Sequence, residues 1–383
     1  MIELSNMDKV LSSVYLDVVS ECLNDRTSAF YKKIEKSNTD VFGKEVIFPC
    51  RFGINGGVAC STETSNLPTP GSATLLTFKA PLANVYGNME ISDKLLRVSD
   101  KGNNVVNVLN NEVDSLLEAA KFNLKRMLFQ TGDGALATLT AAAGTNTVNV
   151  NSTRNLTEGM IVDFIVGTSV TASGYRITLV DRVAKTVKLD NVVPSTVTSG
   201  AIMTLQGSYK SEIYGLPYIF STGGSNMYGS SRAIIKYALP GEYTLDHVDP
   251  DGIQTVLDNM EEIGGAQPDM ILSSYAMRRK YLNAMNTAKL NVETVENDGF
   301  KAVAYNGIPI YAEPFVDENE MFFINSSDFS LAQLADWSWV EGSTHEILRP
   351  IYGKAAYTAT LVKYCNLICR RPKSQAKLTY SED

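Results

Sequence analysis

Residues 107–130, NVLNNEVDSLLEAAKFNLKRMLFQ, restrict the fold more than any other stretch of this chain. Leu109, Val113, Leu116, Leu117, Ala120, Leu124, Met127 and Leu128 recur at three- and four-residue steps, placing them on one stripe of a long amphipathic helix. Glu112, Asp114 and Glu118 come early and Lys121, Lys125 and Arg126 late, the order a helix dipole favours. Gly132 supplies a C-terminal stop. A glycine- and proline-rich stretch precedes this helix and a threonine- and valine-rich one follows it. A long helix with an arm on one side and a separate β module on the other suits assembly better than it suits the floor of an active site.

Composition narrows the classes further. The 383 residues are enough for two or three domains, and 44% hydrophobic with 20% charged residues marks a globular chain. The net charge of −8 disfavours a dedicated nucleic-acid binder. Five cysteines, at 22, 50, 60, 365 and 369, fit a reducing compartment better than a disulfide framework. Cys365 and Cys369 have no second pair at zinc-site spacing and read as buried thiols of a strand. His247 and His345 are the only histidines, which argues against a histidine-rich metal centre. No apolar run is long enough to span a bilayer. Glu3, Asp8, Lys9 and Asp17 interrupt the N-terminal apolar pattern, so no signal peptide is read there and a cytoplasmic site of synthesis is expected.

Along the chain, residues 4–23 form an amphipathic helix with a capping box at Ser5 and Asp8, packing into a core or docking on a neighbouring subunit. Residues 24–43 read as a polar linker. GKEVIFPCRF and TLLTFKAPL are strands separated by Gly53, Gly56, Gly57, Pro68, Pro70 and Gly71. An isolated two-stranded ribbon with so long a loop is marginal in water unless another subunit covers it; a mobile flap is the alternative. Residues 138–206 read as an all-β sandwich or barrel, and 207–236 as an ordered connector. Asp249 and Pro250 open a helix that stops at Gly264-Gly265, and the strands and helices that follow form a mixed α+β domain. Arg370, Arg371, Lys373 and Lys377 make a basic tail, read either as a solvated terminus or as a weak contact with nucleic-acid phosphates.

No catalytic motif holds. Gly132-Asp133-Gly134 follows a helix, whereas a dinucleotide fingerprint must follow a strand. FGINGGVAC lacks the phosphate-loop lysine, and His345-Glu346 lacks the second histidine of a zinc protease because Arg349 stands there. DHVDPDG has its acids at the wrong offsets for a calcium loop. Glu261 and Glu262 are successive on a helix and point apart. No catalytic residue, cofactor site or metal ligand is assigned, and the chain reads as a non-enzyme.

The order of parts carries a resemblance. An N-terminal helix, a hairpin opening GKEVIFPCRFGINGG, the run ETSNLPTPGSATLLTFKAPLANVYGNMEIS, a helix ending RMLFQTGDGALATL and a final α+β domain together resemble the major capsid protein of tailed bacteriophages, of the Hong Kong 97-type fold. The resemblance implies an α+β chain with an N-terminal arm (1–42), an extended-loop hairpin (43–92), a peripheral domain with the spine helix (93–137), an inserted all-β module (138–206), a connector (207–236), an axial domain (237–337), and return strands to the peripheral domain ending in the basic tail (338–383). It implies hexamers and pentamers of an icosahedral virion shell, built in the bacterial host cytoplasm around double-stranded DNA, without a membrane. Because no scaffolding segment precedes Met1, a separate scaffolding protein or a processed chain is expected, with a portal and a maturation protease as further partners. No lysine–asparagine cross-link pair can be matched. Gly53, Gly56, Gly57, Pro68 and Pro70 would shape the arm, and Phe48, Phe52, Leu75, Leu76 and Phe78 would give its apolar contacts. An encapsulin-like cargo compartment of the same fold, and a tail or adhesin protein with a glycan-binding β module, remain the alternatives.

Overall fold

The computed structural model describes residues 28–51, 55–63, 65–72, 75–94, 106–221, 223, 226–289, 293–297, 300–341 and 347–381. The helix expected over residues 4–23 lies outside them. The chain divides into two compact units, one of Met1–Lys32, Ala83–Leu216 and Ala335–Cys365, the other of Lys33–Leu82, Pro217–Leu334 and Asn366–Asp383.

The first unit is built on the long helix, which runs Val106–Leu128. Val113, Leu117, Ala120, Leu124, Met127 and Leu128 are buried along one stripe, while Glu112, Asp114 and Glu118 face solvent. The stripe follows from the three- and four-residue spacing. The helix packs on strand Ala83–Ser92, whose alternation buries Ala83, Val85, Met89 and Ile91 and exposes Asn84, Tyr86, Asn88 and Glu90. Gly87 is the contact point: a Cβ there would stand 3.1 Å from Leu116 Cδ1. That strand pairs antiparallel with residues 356–365, from Ala356 opposite Ser92 to Cys365 opposite Ala83. It therefore belongs to a sheet, and the hairpin expected over 43–92 ends before it.

Where the helix ends, the chain is locked in two ways. Arg126 and Glu212 form a fully buried bidentate pair, with Nη1–Oε2 at 2.9 Å and Nη2–Oε1 at 2.5 Å. Gly215 lies directly on the terminal carbonyls and donates its N–H to the Gln130 oxygen at 3.1 Å. The Met127 carbonyl accepts from Gln130 N–H, and the Gln130 carbonyl, just past the last helical residue, finds its partner in the incoming backbone. The polar connector is thus the cap of the long helix.

Residues 135–205 form a six-stranded antiparallel sheet in the order Ala135–Thr138, Ile202–Leu205, Ile161–Val166, Ser169–Asp181, Thr186–Leu189, Thr147–Asn149. A bridge between Leu139 and Val150, flanked by Thr140 N–H to the Asn149 oxygen and Asn151 N–H to the Thr138 oxygen, joins its two edges. The sheet closes into a small barrel, which removes both exposed edges. Leu136, Val148, Leu156, Val162, Phe164, Ile177, Val187, Val193 and Met203 fill it. Its first and last strands are adjacent, Ala135 opposite Thr204. Below them Lys210 N–H donates to the Asp133 oxygen, and a Cβ on Gly134 would stand 2.6 Å from the Ser208 oxygen.

The second unit carries a seven-stranded mixed sheet, ordered Gly241–Leu245, Ala376–Tyr380, Glu320–Ile324, Met270–Ser273, Ile308–Ala312, Phe300–Tyr305, Glu293–Asn297. Helices Pro250–Asn259 and Tyr275–Thr287 pack on it through Ile253, Val256, Met277 and Tyr281. Asp249 caps the first as its sequence implies, accepting from the Gly252 N–H at 2.8 Å. The helix continues through a π turn, Met260–Gly264, and stops at Gly265, whose φ of 63° is the left-handed conformation that glycine accepts.

Three expectations from sequence are corrected here. The polar stretch 24–43 is no linker over its described part: Ala29–Lys33 is a helix that buries Phe30 and Tyr31, and Glu35–Ser37 pairs in parallel with residues 330–332. The final strand does not return to the long-helix unit, because Ala376–Tyr380 inserts between Gly241–Leu245 and Glu320–Ile324. The arm residues 43–82 and the segment from 217 cluster with the α+β domain rather than apart from it.

Candidate assembly surface

The arm is a hairpin of Glu45–Arg51 and Leu75–Pro81, in register from Glu45 opposite Pro81 to Arg51 opposite Leu75, with Val41–Phe42 alongside. Its root is aromatic. Phe48 and Phe78 are opposed cross-strand partners, 5.6 Å apart in an edge-on arrangement, and both stack on Tyr228 at 5.3 and 5.6 Å. Tyr228 is held by its own backbone and hydroxyl. Its oxygen accepts from Lys79 N–H, its N–H donates to the Tyr218 hydroxyl, and its hydroxyl donates to the Leu367 oxygen at 3.0 Å. Burial pushes that hydroxyl well above the usual tyrosine range. Phe48 and Phe78 were expected to meet a neighbour; they are instead fully buried inside their own chain. They anchor the arm's root.

Toward the tip the character reverses. Val58 and Leu67 are each 88% exposed and Leu75 63%, while Leu76 and Pro68 are half-buried and Pro70 is exposed. Gly57 and Gly71 pass backbone to backbone: a Cβ on Gly71 would stand 2.7 Å from the Gly56 nitrogen, and one on Gly57 would stand 2.9 Å from the Gly71 nitrogen. The Asn55 Oδ1 accepts from Gly57 N–H at 2.9 Å and fixes the bend. The glycines here permit close approach. Phe52 and Gly53 lie outside the described residues. Within residues 52–74 Glu63 is the single charged side chain.

Tyr218, Tyr228 and Arg232 sit in the stretch read only as a connector, and their role at the arm root was not foreseen. Arg232 Nη2 donates to the Tyr218 oxygen and its guanidinium lies 5.6 Å from the Tyr218 ring. The residue is 5% exposed, and its Nε and Nη1 have no acceptor among the described residues. Burial lowers its pKa. The richness of residues 208–236 in tyrosine was the one signal available.

The four basic residues of the tail divide: Arg370 and Lys377 are ion-paired, and Arg371 and Lys373 are exposed. Arg370 pairs with Asp40 at 2.5 Å, and Lys377 bridges Glu242 at 2.9 Å and Glu320 at 3.3 Å inside the seven-stranded sheet. Arg371 reaches the Gly264 oxygen at 3.4 Å, and Lys373 is exposed. Burial works against the Lys377 charge, but the two carboxylates outweigh it and raise its pKa. Lys377 is thus held inside the sheet, while the Arg370 side chain is 41% exposed beside its carboxylate partner.

His345 lies outside the described residues. His247 bonds Asp246 at 2.6 Å beside the Asp249 helix cap. Cys50, Cys365 and Cys369 are buried and Cys60 is exposed; burial pushes the Cys50 thiol up to about 11 and Cys365 up to about 12. Among the described residues there is no group of three or more histidine, cysteine or acidic side chains placed to hold a metal ion, and no helix long and apolar enough to cross a membrane.

No protein-family model matches the sequence, and no curated protein matches it. Solved structures do. The capsid asymmetric unit of cyanophage A-1(L) aligns over 92% of this chain and 91% of its own, at 10% identity and a TM-score of 0.56. The holo-SrpI encapsulin complex from Synechococcus elongatus PCC 7942 aligns over 92% of this chain and 88% of its own, at 10% identity and a TM-score of 0.50. With its long helix, arm hairpin and mixed α+β unit, the chain has the Hong Kong 97-type capsid fold shared by phage capsid and encapsulin shell proteins.

Proposed function

We propose that this chain is the major capsid protein of a tailed bacteriophage, with identical copies tiling a closed icosahedral shell around double-stranded DNA. The observation that carries the reading is the likeness to the cyanophage capsid over nearly the whole length of both chains. The arm supports it: its root is fixed by buried aromatics while its tip leaves Val58, Leu67 and Leu75 uncovered. The exposed apolar side chains of the arm, in this reading, form a surface that a second copy covers. In this reading the arm overlies a neighbour within hexamers and pentamers, the α+β unit is the axial domain, and the barrel is an insertion between the long helix and the connector. A separate scaffolding protein, a portal and a maturation protease complete the assembly, which takes place in the bacterial host cytoplasm.

Likeness to the encapsulin structure favours a second reading, a protein compartment of the same fold that houses a cargo enzyme. Negative-stain microscopy of the chain expressed with and without its neighbouring genes tests both. Closed isometric shells with nuclease-protected DNA are expected; shells that co-purify a host protein and no DNA favour the compartment. Stable monomers under both conditions, at any salt, refute the shell.

A further inference from the structure

Arg232 is an anomaly of charge. A buried guanidinium without a counter-ion is expensive, and buried cations in folded proteins are normally paired. Among the described residues the groups that perturb it are the rings of Tyr218 and Tyr228, and no carboxylate is among them. Yet its backbone runs along the surface: Ser231 is half-buried, Ala233 is exposed and Ile234 is 69% exposed. Arg232 is thus a buried side chain next to exposed positions of the chain.

The arm tip shows the converse anomaly. Residues 52–74 carry one charge, that of Glu63, on an otherwise neutral stretch with exposed Val58 and Leu67. Glu63 is exposed, and it is not among the groups that perturb the Arg232 of its own chain. It lies 15 residues from both Phe48 and Phe78, which pack on the Tyr228 beside Arg232. The strand pairing ends at Arg51 opposite Leu75, 12 residues from Glu63 on either side.

We propose that Arg232 is the receptor for Glu63 of a second copy, so that each arm tip is stapled at the root of another arm. Resting on the shell reading, the staple makes the charge pair conditional on assembly. In the isolated chain the guanidinium is parked against the Tyr218 ring; when the neutral tip settles, Val58 and Leu67 bury apolar area and Glu63 supplies the missing acceptor. A charge-assisted bidentate bond gives direction to a surface whose other contacts are non-directional.

The test is a charge exchange in the full chain, read by sedimentation and electron microscopy. E63R and R232E alone are each expected to lower the yield of closed shells about tenfold or more, as close interfacial charge pairs do. The combined E63R/R232E chain is expected to restore it to within about twofold. R232M, which fills the same space without charge, controls for folding: its unassembled subunit keeps the wild-type Tm while shell yield falls. Normal shells from either single reversal, or failure of the exchange to rescue, overturns the staple. A wild-type chain that forms no shells removes the shell reading and the staple together.

Discussion

Replacing Gly215 by alanine tests how the long helix ends. The added Cβ would stand 2.5 Å from each of three carbonyl oxygens, those of Met127, Leu128 and Gln130. All three are backbone atoms of the helix terminus, so no side chain can rotate away. Relief requires the 212–216 segment to lift off. That movement stretches the Gly215 N–H bond to the Gln130 oxygen, now 3.1 Å, and pulls on the buried Arg126–Glu212 pair three residues before it. Overpacking of a tight site costs about 1–3 kcal/mol and a lost capping hydrogen bond about 1 kcal/mol, so a loss of about 3 kcal/mol is expected. In a cooperative unit of about 200 residues each kcal/mol moves Tm by about 2–4 °C, which predicts a fall of about 6–12 °C. The assay is the thermal transition of the unassembled subunit followed by circular dichroism. Gly56→Ala is the control, because a Cβ there meets nothing within 4 Å; it should stay within about 0.5 kcal/mol. A Gly215→Ala chain that melts with the control would show that the connector does not cap the helix.

Further outcomes follow from other contacts. Glu212→Gln leaves a buried guanidinium half-satisfied and should cost about 3–5 kcal/mol in urea titration, whereas Arg126→Met with Glu212→Leu should cost much less; equal losses would mean that the charges themselves stabilise. Deleting residues 53–71 should leave a soluble subunit that closes no shells, and normal particles from that deletion would refute the role of the arm. Lys377 has a folded pKa above its ordinary value, so its stabilising contribution is complete below about pH 10 and disappears as pH rises through the folded value. The stability difference between wild type and Lys377→Met, measured by urea at increasing pH, should therefore shrink above about pH 10.5. Among Cys50, Cys60, Cys365 and Cys369, a maleimide should label only Cys60 in the folded subunit, and peptide mapping that finds Cys365 equally modified would contradict its burial.

What could be read in the sequence was whatever repeats locally. The long helix showed in its apolar spacing, and the structure places it at Val106–Leu128 against an expected 107–130. Asp249-Pro250 and Gly264-Gly265 bounded a helix by chemistry that acts within four residues. What escaped depends on partners far along the chain. Glu212 stands 86 residues from Arg126, and nothing near either residue says that both are buried. Lys377 looked like part of a basic tail because its carboxylates come from Glu242 and Glu320. Phe48 and Phe78 were rightly seen as apolar and wrongly sent outward, since Tyr228, which covers them, arrives about 150 residues later. Phe30 and Tyr31 were overlooked in a stretch whose charged neighbours masked a single buried turn.

The neck of the barrel has a practical side. The chain leaves the long helix and rejoins the connector through two adjacent backbone segments, tied by Lys210 N–H to the Asp133 oxygen and pressed together at Gly134 and Ser208. Everything between them is a closed body with its own apolar filling. Such a neck is a ready-made socket. A foreign domain whose termini lie side by side could be exchanged for residues 135–205 while the Arg126–Glu212 lock and the Gly215 cap stay in place. A guest epitope grafted at the outer turn beside Val183, itself 96% exposed, would be carried once on every copy of the chain.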